Sequence, residues 1–254
     1  LNGKRNKYMN ADQIISYHRI NQQFNRTIVI GDIHGCYNEL MQLLERIRFN
    51  DNDLLISVGD FCSRGPDTWR NAQFFRTTAN ALSVTGNHEL HLIGALQGRY
   101  EAHWSLRKSL ARMPRNIRLE WAKFLQNLPA VIESDDVIVT HARLDPRLPL
   151  DNQDLYFTSG AGEEGKIIPR DADDIPLWFH EWQNLHPSGK PICFGHKAYS
   201  RIEVVPDRLY ALDTGAVLGK TLTALIFPGK KIVQIEIPLN YAKLGRSSNV
   251  KYEK

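Results

Sequence analysis

Aspartate, asparagine and histidine recur in this sequence at the ends of apolar runs. Asp32 and His34 follow TIVI, Asp60 follows DLLISVG, Asn87 and His88 follow ALSVTG, His141 follows VIVT, and His196 closes PICFG. Carboxylates, an amide and imidazoles together make mixed nitrogen and oxygen shells, which suit borderline divalent ions such as manganese, iron or zinc. Asp32 and His34 can converge on one ion if the intervening Ile33 points into the core, and Asp60 has two oxygens with which to bridge two ions. A lone histidine or Gly-Asp pair in a turn is ordinarily a capped or solvated group. Repetition of such turns after separate apolar runs points instead to one shared site.

The elements that must position these residues can be read from their flanks. The β-branched run at 27–30 breaks at Gly31, and the stretch NELMQLLERIRF that follows has apolar residues at 40, 43, 44 and 47, the spacing of an amphipathic helix. Residues 53–60 repeat the strand and turn. A helix over 67–80, with Asp67 in its first turn after Pro66, leads to a third strand and turn at 81–89. This alternation predicts βαβ units and a largely parallel sheet, whose strands carry their polar residues to one carboxyl-end rim. Residues 90–128 read as mainly helical, 137–142 as a strand, and 143–190 as loop with a short helix near WFHEW. The runs at 191–196, 201–205, 208–215, 222–227 and 231–237, joined in part by the short turns PDR and PGKK, predict a second, mainly antiparallel sheet. The fold class is α/β, with two packed sheets flanked by helices. Residues 1–26 form a polar N-terminal extension in which Ile14, Ile15, Tyr17 and Ile20 can anchor a short packed segment, and 27–254 form a single catalytic domain.

The 254 residues, 42% of them hydrophobic, suffice for one sizeable core. A formal charge of +4 with dispersed basic residues is compatible with anionic ligands, and neither a basic tract nor an aromatic array points to nucleic acid. No apolar run has the length of a membrane span, and the opening LNGKRNKYMNADQ lacks the apolar core of a secretion signal. Cys36, Cys62 and Cys193 make no CxxC pair, which argues against a disulfide scaffold and for a cytoplasmic protein. Nothing specifies an oligomeric state.

Taken in order, GDIHG, GDFCSRG, GNHE, His141 in THA, and FGH resemble the successive motifs of calcineurin-like metallophosphoesterases of the phosphoprotein phosphatase (PPP) type. These motifs cover residues 31–196, and DTG at 213–215 with the LTAL after it extends the similarity to about residue 225. The closing segment DTGAVLGKTLTALIFPG is similar to bacterial serine/threonine phosphatases and to diadenosine tetraphosphatases. The resemblance implies a metallophosphoesterase fold of two packed mixed β-sheets flanked by helices, and two divalent metal ions, manganese first with iron, zinc or nickel as alternatives. Asp32, His34 and Asp60 would hold one ion, and Asp60, Asn87, His141 and His196 the other. Such a pair can hold an attacking hydroxide and offset the charge that develops in an in-line displacement.

By the same resemblance His88 is the general acid that protonates the leaving oxygen, and Arg64 grips phosphate oxygens through its planar fork. The sequence departs from the family at Ser63, where an aspartate ordinarily precedes the arginine. A serine can accept a hydrogen bond from His88 but supplies no negative charge to favour imidazolium. Asp67 is a candidate replacement carboxylate if its helix turns toward the site. Arg143 stands where many relatives have glycine and is either a second phosphate contact or a larger wall, and Lys197 replaces a common threonine. The expected function is hydrolysis of phosphomonoesters, including phosphoserine and phosphothreonine in proteins. The alternative is hydrolysis of diadenosine tetraphosphate or another dinucleoside polyphosphate, which tolerates Ser63 because a phosphate leaving group needs protonation less than an alkoxide. A third reading is a phospho-ligand binding protein that keeps its metals without turnover.

Overall fold

A β-branched run placed between two packed layers is buried on both faces, and Arg26–Ile30 (β2) shows how this chain uses that pattern. Val29 packs with Ile56, Ile132, Val139, Cys193 and Leu225 between the sheets, whereas Ile28 and Ile30 pack with Leu40, Leu43 and Leu55 on the opposite, helix-covered face. The two-residue side-chain period of a strand produces this division. The protein is described from a computed structural model, which covers residues 17–247 except 100, 103, 112, 162–166, 188 and 200. Ile14 and Ile15 lie outside the described residues.

The first sheet begins as the sequence predicts. β2 leads through α1 (Tyr37–Ile47) to β3 (Asp53–Ser57), and β3 through α2 (Thr68–Thr77) to β4 (Ala81–Ser83), with β2, β3 and β4 pairing in parallel. Helix α1 buries Leu40, Leu43, Leu44 and Ile47 and ends at Arg48 in the left-handed conformation. Asp67 is the N-cap of α2 rather than a residue of its first turn, because its backbone, at φ −130° and ψ 48°, is not helical. Helices α3 (Asn87–Leu96), α4 (Trp104–Ala111) and α5 (Arg118–Gln126) follow, with α3 packed on α5.

The second sheet differs from the expectation. Its order is β1 (Tyr17–Arg19), β5 (Val131–Glu133), β6 (Ile138–Thr140), β7 (Ile192–Phe194), β9 (Leu209–Ala211), β8 (Glu203–Val205), and it is mixed. β7 runs parallel to both β6 and β9, and only the β5–β6 and β8–β9 pairs are antiparallel. The segment 143–190 between β6 and β7 contains the short α6 (Leu155–Thr158) and α7 (Leu177–Leu185), enough chain for a parallel crossover. The last hairpin, β10 (Thr221–Phe227) with β11 (Lys231–Glu236), does not join this sheet. β10 pairs antiparallel with β2 and extends the first sheet, so that Leu225 and Phe227 reach the layer between the sheets. The short turns identify the hairpins correctly; which sheet edge each one extends is set by the buried surface it completes. Tyr17–Arg19 pairs in parallel with β5 and Ile20 is buried, so the chain is part of this sheet ahead of residue 27. Helix α8 (Tyr241–Ser247) closes the described chain, its Tyr241 hydroxyl donating to Glu39.

Candidate functional site

The carboxyl ends of β2, β3, β6 and β7 meet at one rim, and the turns there hold side chains that the local sequence alone would not bring together. Ile33 is fully buried, which turns Asp32 and His34 toward the same space. His34, Asp60, Ser63, Arg64 and His196 all adopt positive φ, from 46° to 71°, although none is glycine. Residues in this region cost energy that surrounding contacts must offset, and such residues concentrate at functional sites.

Asp60 is the centre of the cluster. Its Oδ2 lies 3.7 Å from His34 Nε2, 3.9 Å from His88 Nε2 and 3.5 Å from His141 Nε2. Its Oδ1 accepts the backbone N–H of His88 at 2.9 Å, at the N-terminus of α3, where helix amides favour a negative charge. Asp32 Oδ2 is 3.9 Å from His34 Nε2, and both Asp32 oxygens accept the backbone N–H of His196 at 3.2 Å. Asn87 Oδ1 lies 3.2 Å from His141 Nε2 and 3.0 Å from His196 Nδ1. Asp32, His34, Asp60, Asn87, His88, His141 and His196 thus converge, and among the described residues two buried groups with donor atoms close enough to hold an ion, His34–Asp60–His88 and Asp32–Asp60–His141, share Asp60.

The tautomers test whether these donors fit cations. His34 Nδ1 is 3.0 Å from the Cys62 carbonyl and His141 Nδ1 is 2.7 Å from the Val58 carbonyl. A carbonyl can only accept, so each Nδ1 carries the proton, and each Nε2, when unprotonated, turns a lone pair toward the carboxylates. Lone pairs facing carboxylate and amide oxygens in a buried space call for positive charge between them. A divalent cation supplies it, and the donor set fits two that share Asp60. Arg64 donates to His34 Nε2 at 3.0 Å, so an ion taking that lone pair would release the guanidinium beside it.

The electrostatics follow from the same crowding. Burial works to raise the Asp60 carboxyl, but the His141, His88 and His34 rings hold it well below the usual carboxylate range. Burial, then the Asp213 charge, pushes Asp32 well above that range. Burial opposes charge on His141, yet Asp60 and Asp32 raise it to about 10, so protons and cations compete for its Nε2. Burial, followed by the Arg64 charge, brings His34 down to about 4. Burial also lowers His88, against the pull of Asp60.

His88 is oriented by the residue at the departure. Its Nδ1 makes a short hydrogen bond with Ser63 Oγ, and the Ser63 backbone N–H donates to Thr68 Oγ1 at 2.8 Å, leaving Nε2 turned toward the cluster. Asp67 is half-buried at the head of α2, with its backbone N–H on the Gly35 carbonyl, and its charge reaches Tyr241 of α8. Arg143 is buried against the Phe157 ring. Lys197 is exposed.

Several residues that complete the site carry less obvious signals. Glu89 is fully buried, and its carboxylate accepts the backbone N–H groups of Asp60 at 2.7 Å, Gly86 at 3.0 Å and Cys62 at 3.1 Å, tying the second and third turns together. Its sequence position, three residues after Gly86, is legible only as a helix-start acceptor. Burial, with the Asp60 charge adding to it, pushes Glu89 up to about 7. Asp213 is buried close enough for its charge to raise Asp32. Gly86 and Gly195 are required by space: a Cβ on Gly86 would lie 2.1 Å from Asp60 Oδ1, and one on Gly195 would lie 2.0 Å from Asp32 Oδ1. The signal for both was the glycine that directly precedes Asn87 and His196 in the sequence.

With this geometry in place, comparison with known proteins is informative. Residues 25–214 match the family model described as calcineurin-like phosphoesterase. A protein of Proteus mirabilis named bis(5'-nucleosyl)-tetraphosphatase, symmetrical, is 28% identical, over 81% of this chain and 95% of that protein. The protein of the same name from Aliivibrio fischeri strain MJ11 is 35% identical, over 78% of this chain and 93% of that protein. A crystal structure provisionally assigned as a diadenosine tetraphosphatase superposes with a TM-score of 0.69 at 27% identity, covering 87% of this chain and 98% of the other.

Proposed function

Because the chain belongs to the calcineurin-like phosphoesterase family, we propose that its substrate is a dinucleoside polyphosphate such as diadenosine tetraphosphate, cut at a phosphoanhydride bond. The protein is a metal-dependent phosphoesterase with a candidate binuclear metal site. The observation that carries the finer reading is the pairing of His88 Nδ1 with the Ser63 hydroxyl. An uncharged partner gives little support to imidazolium, which matters least when the leaving group is itself a phosphate. The similarity to tetraphosphatases favours the same order, placing the dinucleotide ahead of the phosphomonoester that the sequence motifs alone put first.

When bound, two divalent ions, manganese in this reading, would draw substrate oxygens to the centre and offset the charge developing on them. Asp32, His34 and Asp60 would hold one, and Asp60, Asn87, His141 and His196 the other. The remaining work falls to the chain. Arg64, once released from His34, offers its planar fork to the oxygens of the reacting phosphate. His88 gives a proton from Nε2 to the departing oxygen while Ser63 holds Nδ1 and so fixes the ring plane. Glu89 ties the turn that carries Asp60 to the turn before Asn87 by accepting the amides of Asp60, Cys62 and Gly86. The burial of His34, Asp60, His88 and His141 keeps bulk water from screening these interactions. Three buried, unpaired cysteines and a nucleotide substrate go with a cytoplasmic setting, and no helix among the described residues is long and apolar enough to cross a membrane.

The test is competition. Manganese-loaded protein is given equimolar diadenosine tetraphosphate and a phosphoserine peptide, and all products are followed by mass spectrometry. The expected result is early loss of the dinucleotide with adenosine diphosphate as its only nucleotide product, the outcome of a symmetrical cut. Dephosphorylation of the peptide with the dinucleotide left intact would reject this reading for the phosphomonoesterase one.

A further inference from the structure

Two arginines belong to the turns that carry the cluster, and they are held differently. Arg64 stands beside His34, half-buried. Arg143 follows His141 by two residues, with its guanidinium carbon 3.8 Å from the centre of the Phe157 ring and its Nε donating to the Phe157 carbonyl at 3.2 Å. That carbonyl also accepts from the backbone N–H of Gly160 at 3.2 Å, and the Ala142 N–H donates to the Thr158 carbonyl at 2.7 Å. Gly160 in turn lies against His196, where an added Cβ would come 2.8 Å from Cε1 and Nε2 of the imidazole. The backbone from His141 to Arg143 and that from Phe157 to Gly160 therefore form one wall. It carries His141 directly and supports His196 by contact, and the Arg143 side chain is fixed within it at 8% exposure. Stacking on an aromatic face orients a guanidinium, and its planar set of N–H donors matches phosphate oxygens.

We propose that Arg143 grips a phosphate next to the one held at the ions, so that the site recognises a chain of phosphates rather than a single one. The inference rests on the dinucleoside polyphosphate reading and names the part of the substrate that this wall takes. The reasons are the place of Arg143 in the wall that carries His141 and meets His196, the fixed orientation of its guanidinium on Phe157, and the presence of a second arginine at His34. A substrate with several phosphates carries charge for both cations; a phosphomonoester uses one.

The experiment measures inhibition of p-nitrophenyl phosphate hydrolysis by inorganic phosphate, pyrophosphate and tripolyphosphate, with manganese kept in excess of the anions. Wild type, Arg143→Gln and Arg143→Lys are compared, each checked for folding by its melting curve. The wild type is expected to bind pyrophosphate and tripolyphosphate at least about tenfold more tightly than phosphate, the size of one charged hydrogen-bonding contact. Arg143→Gln should lose most of that preference, and Arg143→Lys, which keeps the charge without the fork, should recover part of it. Equal inhibition by the three anions in the wild type overturns the proposal, as does a preference that Arg143→Gln leaves intact. A general loss of stability or metal binding lowers affinity for all three anions together and leaves their ratio unchanged, which separates a merely structural wall from a phosphate contact. The substrate reading is scored apart from this: a wild type that prefers the longer anions but leaves diadenosine tetraphosphate uncut overturns the substrate and keeps Arg143. One that cuts the dinucleotide without any such preference overturns Arg143 alone.

Discussion

Replacing Gly195 with alanine tests the site where its geometry is tightest. The new Cβ would stand 2.0 Å from Asp32 Oδ1 and 2.6 Å from a Val58 methyl carbon. Nonbonded carbon and oxygen need roughly 3 Å or more, so either the Asp32 carboxylate or the turn carrying His196 must move by about 1 Å. Neither can move freely, because both Asp32 oxygens accept the His196 backbone N–H at 3.2 Å and Val58 is fully buried. Overpacking of this kind costs about 1–3 kcal/mol of stability, and a misplacement of about 1 Å at a reacting centre costs on the order of a hundredfold in rate. Gly195→Ala is therefore expected to weaken manganese binding in calorimetric titration and to lower kcat/KM about a hundredfold, while the metal-free protein still folds. Gly229→Ala, at a glycine with nothing within 4 Å of its added Cβ, is the control and should behave as the wild type. Wild-type manganese affinity and activity in Gly195→Ala would refute the claim that Asp32 and the His196 turn are held as ligands in this arrangement.

Three other expectations follow from individual contacts. Glu89→Ala leaves three buried backbone N–H groups without their acceptor, at about 1–3 kcal/mol each, and relieves repulsion with Asp60, so urea denaturation should show a net loss of roughly 2–5 kcal/mol. An unchanged midpoint would mean that water replaces the carboxylate at no cost. Ser63→Asp, which gives His88 Nδ1 a charged partner, should raise kcat/KM on alkyl phosphomonoesters more than on phosphoanhydrides; equal effects across a pH–rate comparison would remove His88 from proton delivery. On β5, next to the edge strand β1, burial works to raise Glu133, but hydrogen bonds from Lys190 and Tyr17 outweigh it and lower its carboxyl below the ordinary 4.5. A depressed folded-state pKa gives stability that is complete above 4.5 and is lost as pH falls through the folded value, so Glu133→Gln should flatten the stability profile below pH 4.5 and lower the plateau above it. An unaltered acid limb in chemical denaturation would show that the cluster contributes nothing.

The sequence by itself determined the local elements and the rim. The β-branched run before Gly31, the apolar spacing of α1 and the Gly-led polar turns are short-range signals, and the structure puts Asp32, His34, Asp60, Asn87, His88, His141 and His196 where they converge. It likewise identified the hairpins at the PDR and PGKK turns, because turn chemistry and strand period are set by neighbours in the chain. Only the tertiary structure decided that β10 adds to β2 and that β7 lies parallel to β6 and β9, since strand partners are chosen by which apolar faces complete the layer between the sheets. It also decided what surrounds the cluster. Asp32 meets the amide of a residue 164 positions away, Glu89 binds two amides in the Asp60 turn, and Arg143 stacks on Phe157 fourteen residues later. No periodicity encodes such contacts, because each depends on two turns arriving at the same place through sheets that the whole chain must build.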